Sequence, residues 1–312
     1  MRLCEHPDFE QAILQVADHY RDRGLRPAIV EKDYFVTEAL RCIAAAAGDR
    51  VIFKGGTSLS KGWNLIQRFS EDIDIFLDTD GMGKNAIDRE LKKLRDAVGK
   101  HPALSHLPEE SKTIGGFGRN DYFSFPQQFG GVGDVRNRVL LESGTASGRQ
   151  PVANIELSSY VGDYLRDRGI SLGAIDEQPF SMRLLHFRRT FVEKLFAIHG
   201  KVEGGRPLGT YARHYYDLFK LSLREEVLHM VQSAEFAEIK ADYDRVSRAS
   251  FPNSYTPPDG LSFRHSRALF PDKALEHAIQ REFEKQCKLL CFGNAPSWKD
   301  VRARFELMRD WL

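Results

Sequence analysis

Residues Val51 to Asp78, VIFKGGTSLSKGWNLIQRFSEDIDIFLD, set a short apolar strand, a Lys54-Gly55-Gly56-Thr57-Ser58 turn and a second strand carrying Asp72-Ile73-Asp74 in close succession. Paired glycines after a strand let the backbone approach phosphate oxygens, and a helix running from Thr57 to Asn64 would aim its free N–H groups at the same anion. Side chains alternate along a strand, so Asp72 and Asp74 share one face while Ile73 turns to the core. Two carboxylates on one face can hold Mg2+ or Mn2+ between nucleotide phosphates and an attacking hydroxyl. Alone, a D-x-D pair is usually solvated and a Gly-Gly is usually a turn; their succession is what points to nucleotide and metal chemistry.

A P-loop is excluded. That motif requires Gly-Lys followed by Ser or Thr, whereas Lys61 precedes Gly62 and Trp63 follows. Lys54 and Lys61, flanking the glycine turn, remain candidates for phosphate binding together with Gly55, Gly56, Thr57 and Ser58.

Gly55-Gly56 followed by Asp72-x-Asp74 resembles the DNA polymerase beta-like nucleotidyltransferase superfamily, and the wording KGGTSLSK with RFSEDIDI resembles its AbiEii/AbiGii branch of bacterial toxins, which includes MenT-like members. Three further blocks carry the resemblance: Glu31-Lys32-Asp33-Tyr34, Arg189-Thr190-Phe191-Val192-Glu193-Lys194-Leu195, and Arg213-His214-Tyr215-Tyr216-Asp217-Leu218. The resemblance implies an α/β (α+β) polymerase beta-like core with a mixed sheet and a C-terminal helical lobe. It also implies Mg2+-dependent transfer of an NMP from an NTP to an RNA acceptor, the tRNA 3′ end, with a separately encoded antitoxin as partner. Asp72 and Asp74 would bind metal, Lys194 would contact the triphosphate, and Asp217 would complete the site. The interval between the glycines and the aspartates is longer than in compact superfamily members, which implies a longer intervening helix. For a third carboxylate, Glu156 in VANIELSSY is the candidate and Glu142 in NRVLLESG its rival.

The later motifs also have plain readings. Thr190-x-x-Glu193 fits a capping box opening a helix that runs through His199 to Gly200. Lys194, among Phe191, Leu195, Phe196 and Ile198, reads by itself as a solvated neighbour of an apolar face. Asp217 lies one turn after Arg213 and fits an i, i+4 ion pair. His214 reads as a packed or exposed histidine rather than a catalytic one.

With 312 residues, 42% hydrophobic content and a formal net charge of +1, the chain has the composition of a globular enzyme rather than a disordered or broadly cationic one. No uninterrupted apolar stretch of membrane-spanning length is visible and the N-terminus lacks a signal-like apolar run, so a cytoplasmic location is expected. Cys4, Cys42, Cys287 and Cys291 form no zinc pattern. Nucleic-acid binding then requires a local basic patch, for which Arg183, Arg188, Arg189, Lys194 and Lys201, with Arg213, Arg245, Arg248, Arg264 and Arg267, are candidates. The run Arg89 to Asp96 reads instead as the solvated face of an amphipathic helix.

Periodicity predicts helices over 8–23, 28–47 and 86–98, strands at VIFK, DIDIFL, 121–125, 135–141 and 152–158, and Gly-rich breaks at 115–118 and 144–148. From about Arg183 the pattern is helical, interrupted by the loop FPNSYTPPDG at 251–260 and resumed at 271–290 and 297–311. This organisation predicts a core over 1–180 and a helical lobe over 181–312, with an active cleft between them. Two other functions fit the same residues: transfer to a small molecule or protein, separable by whether label from an NTP enters RNA, and a non-catalytic nucleotide- or antitoxin-binding module.

Overall fold

The structure is a computed structural model that describes residues 1–70, 72–130, 135–146, 148–292 and 294–312. Position 71 of the opening stretch and position 147 of the Gly-rich break lie outside the described residues. The chain forms two compact units. The first comprises Met1–Trp63, Phe69–Thr145 and Val152–Leu184; the second comprises Asn64–Arg68, Ala146–Pro151 and Leu185–Leu312.

In the first unit, α1 (Phe9–His19) and α2 (Pro27–Ala47) lead into β1 (Val51–Lys54), the single turn α3 (Gly55–Thr57) and a π-turn over Ser58–Gly62. There follow β2 (Asp72–Leu77), α4 (Lys84–Gly99), β3 (Ser105–Ile114), β4 (Gly118–Ser124), β5 (Arg138–Gly144), β6 (Val152–Leu157), α5 (Tyr160–Asp167) and β7 (Phe180–Leu185). The seven strands make one mixed sheet in the order β3-β4-β5-β2-β1-β7-β6. β1 is antiparallel to β2 and parallel to β7, while β2 runs parallel to β5. The apolar runs of β1 and β2 occupy the middle of the sheet, where Val51, Ile52, Phe53, Ile73, Ile75, Phe76 and Leu77 are all buried.

The intervening helix expected from the long glycine-to-aspartate spacing forms only over residues 55–62. Its residues make one helical turn that runs on into one π-turn, and the chain then passes through Asn64, whose φ is +51°, without regular helix or strand before meeting the sheet at Asp72. Two strands escape the sequence pattern. β3 is an edge strand whose residues, Pro108 and three charged side chains among them, are largely solvated, so no apolar alternation marks it. β7 lies where helical periodicity was expected to begin, because Met182, Leu184 and Leu185 lead without a break into the apolar face of the next helix.

The Glu31-Lys32-Asp33-Tyr34 block of α2 is structural throughout. Glu31 accepts backbone N–H bonds from Gln128 and Phe129, Lys32 donates to the Arg136 carbonyl, and the Tyr34 hydroxyl donates to Asp176. Asp33 accepts from Lys61 Nζ at 2.6 Å and from the backbone N–H of Tyr160. Each buried polar group therefore ties α2 to a different loop. Burial raises the Asp33 carboxyl, against the pull of Lys61.

The second unit is helical: α6 (Phe187–Glu203), α7 (Arg213–Ser222), α8 (Glu225–Val231), α9 (Ala234–Ser250), α10 (Lys273–Leu290) and α11 (Trp298–Met308). α6 begins at His186, whose Nδ1 accepts the Arg188 N–H, so Thr190 and Glu193 lie inside the helix and form no capping box. Glu193 instead pairs with Arg189 one turn earlier, and α6 continues past Gly200 to Glu203. No described helix is long and apolar enough to cross a membrane.

Candidate active site

Strand register builds the centre of the first unit. Lys54 of β1 pairs with Asp74 of β2, Asp74 with Glu142 of β5, and Glu142 with Asn120 of β4. Residues opposite one another in a sheet face the same way, so these four polar side chains form a row across four strands. Asn120 Nδ2 donates to Glu142 Oε1 at 2.8 Å. Asp72, two residues before Asp74, shares its face, while Ile73 between them is fully buried. Burial raises the Asp74 carboxyl, Lys54 opposes, and the neighbouring Glu142 and Asp72 carboxylates add to the rise, bringing it to about 7.

The glycine turn is fitted to this row. Gly55 takes a φ of +77°, and a Cβ built there would lie 1.9 Å from Asp74 Oδ2. Both the backbone conformation and the space therefore require glycine. Thr57 and Ser58 are buried with their hydroxyls engaged: Thr57 Oγ1 donates to the Asp72 carbonyl at 2.6 Å, and Ser58 Oγ to the Gly55 carbonyl at 2.9 Å. They brace the turn against β2, leaving the backbone as the anion-facing part. Lys61 is held elsewhere, with Nζ on Asp33 and on the Ser158 carbonyl at 2.8 Å. Lys61, expected to bind phosphate, is thus engaged in an interior ion pair.

The carboxylate beside the aspartate pair is Glu142, not Glu156. Glu156 is exposed on β6 at the sheet edge, with β7 and β1 between it and β2. Among the described residues no group of three or more Asp, Glu, His or Cys side chains is placed to hold a metal ion by itself. Neighbouring half-buried carboxylates, one of them raised to about 7, could supply part of the oxygen-donor set of a hard divalent cation, of the kind that substrate phosphates complete.

Lys194 and Asp217 lie in the second unit in direct contact, and a residue the sequence did not single out joins them at Asp217. Arg68, fully buried, donates Nε to Asp217 Oδ1 and Nη2 to Asp217 Oδ2, each at 2.7 Å. Lys194 Nζ lies 2.8 Å from Asp217 Oδ2 and 3.1 Å from His214 Nδ1. Asp217 is therefore the hub of a buried cluster. Burial disfavours its charge, but Arg68 and Lys194 outweigh burial and hold its carboxyl well below the usual range. Burial, reinforced by Lys194, pushes His214 down to about 3, so it is neutral and its Nδ1 can accept from Lys194. Burial lowers the Lys194 ammonium from the ordinary lysine range, against the pull of Asp217. The signal for Arg68 was its place in RFSEDIDI, two residues after the apolar Ile66 and beside Phe69.

The expected basic patch is largely neutralised. Arg188 pairs with Glu235, Arg189 with Glu193 and Asp242, Arg245 with Asp242, Arg248 with Asp244, Arg264 with Asp310 and Arg267 with Glu203. Such pairing consumes the positive potential that phosphate binding needs.

Comparison with known proteins agrees with this architecture. Residues 38–305 match the family model described as nucleotidyl transferase AbiEii toxin, type IV toxin–antitoxin system. Among solved structures, the fold is similar to MenT4, a nucleotidyltransferase toxin from Mycobacterium tuberculosis H37Rv, with a TM-score of 0.56 and 17% sequence identity over 96% of this chain and 89% of that one. No curated protein sequence matches. Given the extent of the family match, the chain belongs to the AbiEii nucleotidyltransferase toxin family of type IV toxin–antitoxin systems.

Proposed function

We propose that this toxin is a Mg2+-dependent enzyme, with Mn2+ as an alternative ion, that transfers an NMP from an NTP to the 3′ end of tRNA in the cytoplasm and is opposed by a separately encoded antitoxin. The observation that carries the chemistry is the polar row Lys54–Asp74–Glu142–Asn120, with Asp72 beside it and the Gly55 turn packed against Asp74 Oδ2. When bound, the cation would neutralise phosphate charge and align the reacting oxygens. Asp72 and Asp74 are its ligands in this reading, with Glu142 beside them. The acceptor hydroxyl attacks the α-phosphorus, its proton passes to the carboxylate group, and the bond to the β-phosphate breaks to release pyrophosphate. Backbone N–H groups at Gly55 and Gly56 would hold the triphosphate, with Lys54 as a neighbouring positive charge.

Lys194 has three N–H donors, of which Asp217 and His214 occupy two, leaving one for a phosphate oxygen. Asp217 acts in this reading as the anchor that keeps the Lys194 ammonium charged and in place.

The test is incubation of the full chain with total RNA and each labelled NTP in Mg2+, followed by gel separation, beside Asp74→Asn. Label entering the tRNA band with wild type and absent with the folded variant is expected. Label in protein or small molecules redirects the acceptor assignment, and equal labelling by the variant overturns the mechanism.

A further inference from the structure

Within the second unit, the end of α6, the C-terminal half of α9 and the loop at 251–256 line an open pocket of about 220 Å³. Its walls include the rings of Tyr211, Tyr243, Phe251 and Tyr255 together with Lys201 and Arg206, and no described lining residue is acidic. Arg206 is a structural clasp, donating to the carbonyls of Gly200 at 3.0 Å and Ser254 at 3.4 Å. Tyr243 is backed by Phe196, stacked at 4.3 Å with an interplanar angle of 19°, which stiffens the inner wall. Tyr211 and Phe251, each 37% exposed, form the accessible aromatic surface.

Lys201 differs from the other basic residues of this region. Among the described residues it meets no carboxylate; its Nζ lies 4.3 Å from the centre of the Tyr211 ring. Tyr211 in turn meets His214 edge to face at 5.3 Å, and His214 lies 3.1 Å from Lys194 Nζ. Lys201 follows Lys194 by seven residues, two helical turns, and so lies on the same face of α6. The Tyr211 wall of the pocket is thus in contact, through His214, with the Lys194–Asp217 cluster.

The geometry points to a nucleotide-binding subsite in which one planar base enters against Tyr211 and Phe251 while an attached phosphate lies on Lys201. Aromatic faces beside an unpaired cation are the recurring means of holding single nucleotides irrespective of sequence. The volume supports a single base: it falls below the roughly 300–1,000 Å³ of pockets that enclose a whole drug-sized ligand, so sugar and phosphates would remain at the mouth. The base can come from the donor NTP or from an unpaired end of the RNA acceptor, and this choice of ligands rests on the proposed nucleotidyl transfer.

The experiment measures binding rather than turnover, with the full chain in metal-free buffer. One arm titrates each NTP by calorimetry; the other titrates a fluorescent four-nucleotide RNA by anisotropy at several salt concentrations. Tyr211→Leu is expected to weaken binding about tenfold or more in one arm, within the range for losing one stacked base, and Tyr211→Phe to restore it. Lys201→Gln should weaken the same arm and reduce its salt dependence. Loss confined to the RNA arm assigns the subsite to the acceptor, and loss confined to the NTP arm assigns it to the donor. Unchanged affinity in both arms for folded Lys201→Gln overturns the proposal, even should Tyr211→Leu fail to fold. Absence of label transfer with intact binding would defeat the catalytic reading and leave the subsite standing.

Discussion

Gly55 and Asp74 are packed so closely that a single methyl group on Gly55 would stand 1.9 Å from Asp74 Oδ2. The glycine turn and the aspartate strand are therefore one device, and the glycine sets where the carboxylate can point. Gly55→Ala should cost about 1–2 kcal/mol for the left-handed backbone alone, with the clash displacing Asp74 in addition. Transfer activity should fall far more than stability. Thermal unfolding and label transfer on the same preparation check this; an active Gly55→Ala would show that Asp74 need not occupy its present position.

The Asp74 carboxyl, raised to about 7 by burial and by its carboxylate neighbours, has a defined pH signature. A free aspartate titrates near about 3.9, so between that value and 7 the folded state binds the extra proton. By linkage, stability falls as pH rises through this window: the contribution is present below the unfolded value and lost above the folded one. A cation that needs the deprotonated carboxylate should reverse the trend. Added Mg2+ should therefore raise the unfolding temperature more at pH 8 than at pH 6, and Asp74→Asn should remove both the slope and the difference. A pH-independent Mg2+ effect would separate the metal from Asp74.

Glu142 and Glu156 give a paired test. Glu142→Gln should return the Asp74 carboxyl toward its ordinary value, by removing the adjacent charge, and lower transfer at least tenfold. Glu156→Gln, at an exposed edge position, should stay within about 0.5 kcal/mol of wild type and retain activity. The reverse ranking would place the third carboxylate on β6.

What the sequence made legible follows from which interactions are local. Alternation in VIFK and DIDIFL located the central strands and put Asp72 and Asp74 on one face, because that period is a property of the strand itself. Choosing between Glu142 and Glu156 was beyond such reasoning, since both sit in apolar alternating segments and only strand order makes β5 a neighbour of β2. The ion pair of Lys61 was not legible because its partner Asp33 is 28 residues away on α2. Arg68 stayed hidden for the same reason, its partner Asp217 lying 149 residues later.

The Arg68–Asp217–Lys194 cluster separates anchoring from chemistry. Asp217→Asn leaves two buried cations without their counter-charge, and breaking a buried ion pair in this way costs about 3–5 kcal/mol. Lys194→Met leaves Asp217 gripped at both oxygens by Arg68, so its cost should be nearer about 1 kcal/mol, that of one hydrogen bond. The expected result is a folded Lys194→Met protein that binds or transfers nucleotide poorly, beside an Asp217→Asn protein with a sharply lowered unfolding temperature. Because the Asp217 carboxyl is held well below its ordinary value, its stabilisation is present above about pH 4 and is lost only as pH falls toward the folded value. Acid unfolding should accordingly begin at higher pH in Arg68→Lys, where the two-point contact is lost. Equal stability of wild type and Asp217→Asn across the acid range would mean that Asp217 does not hold the cluster, and would leave Lys194 without the anchor argued here.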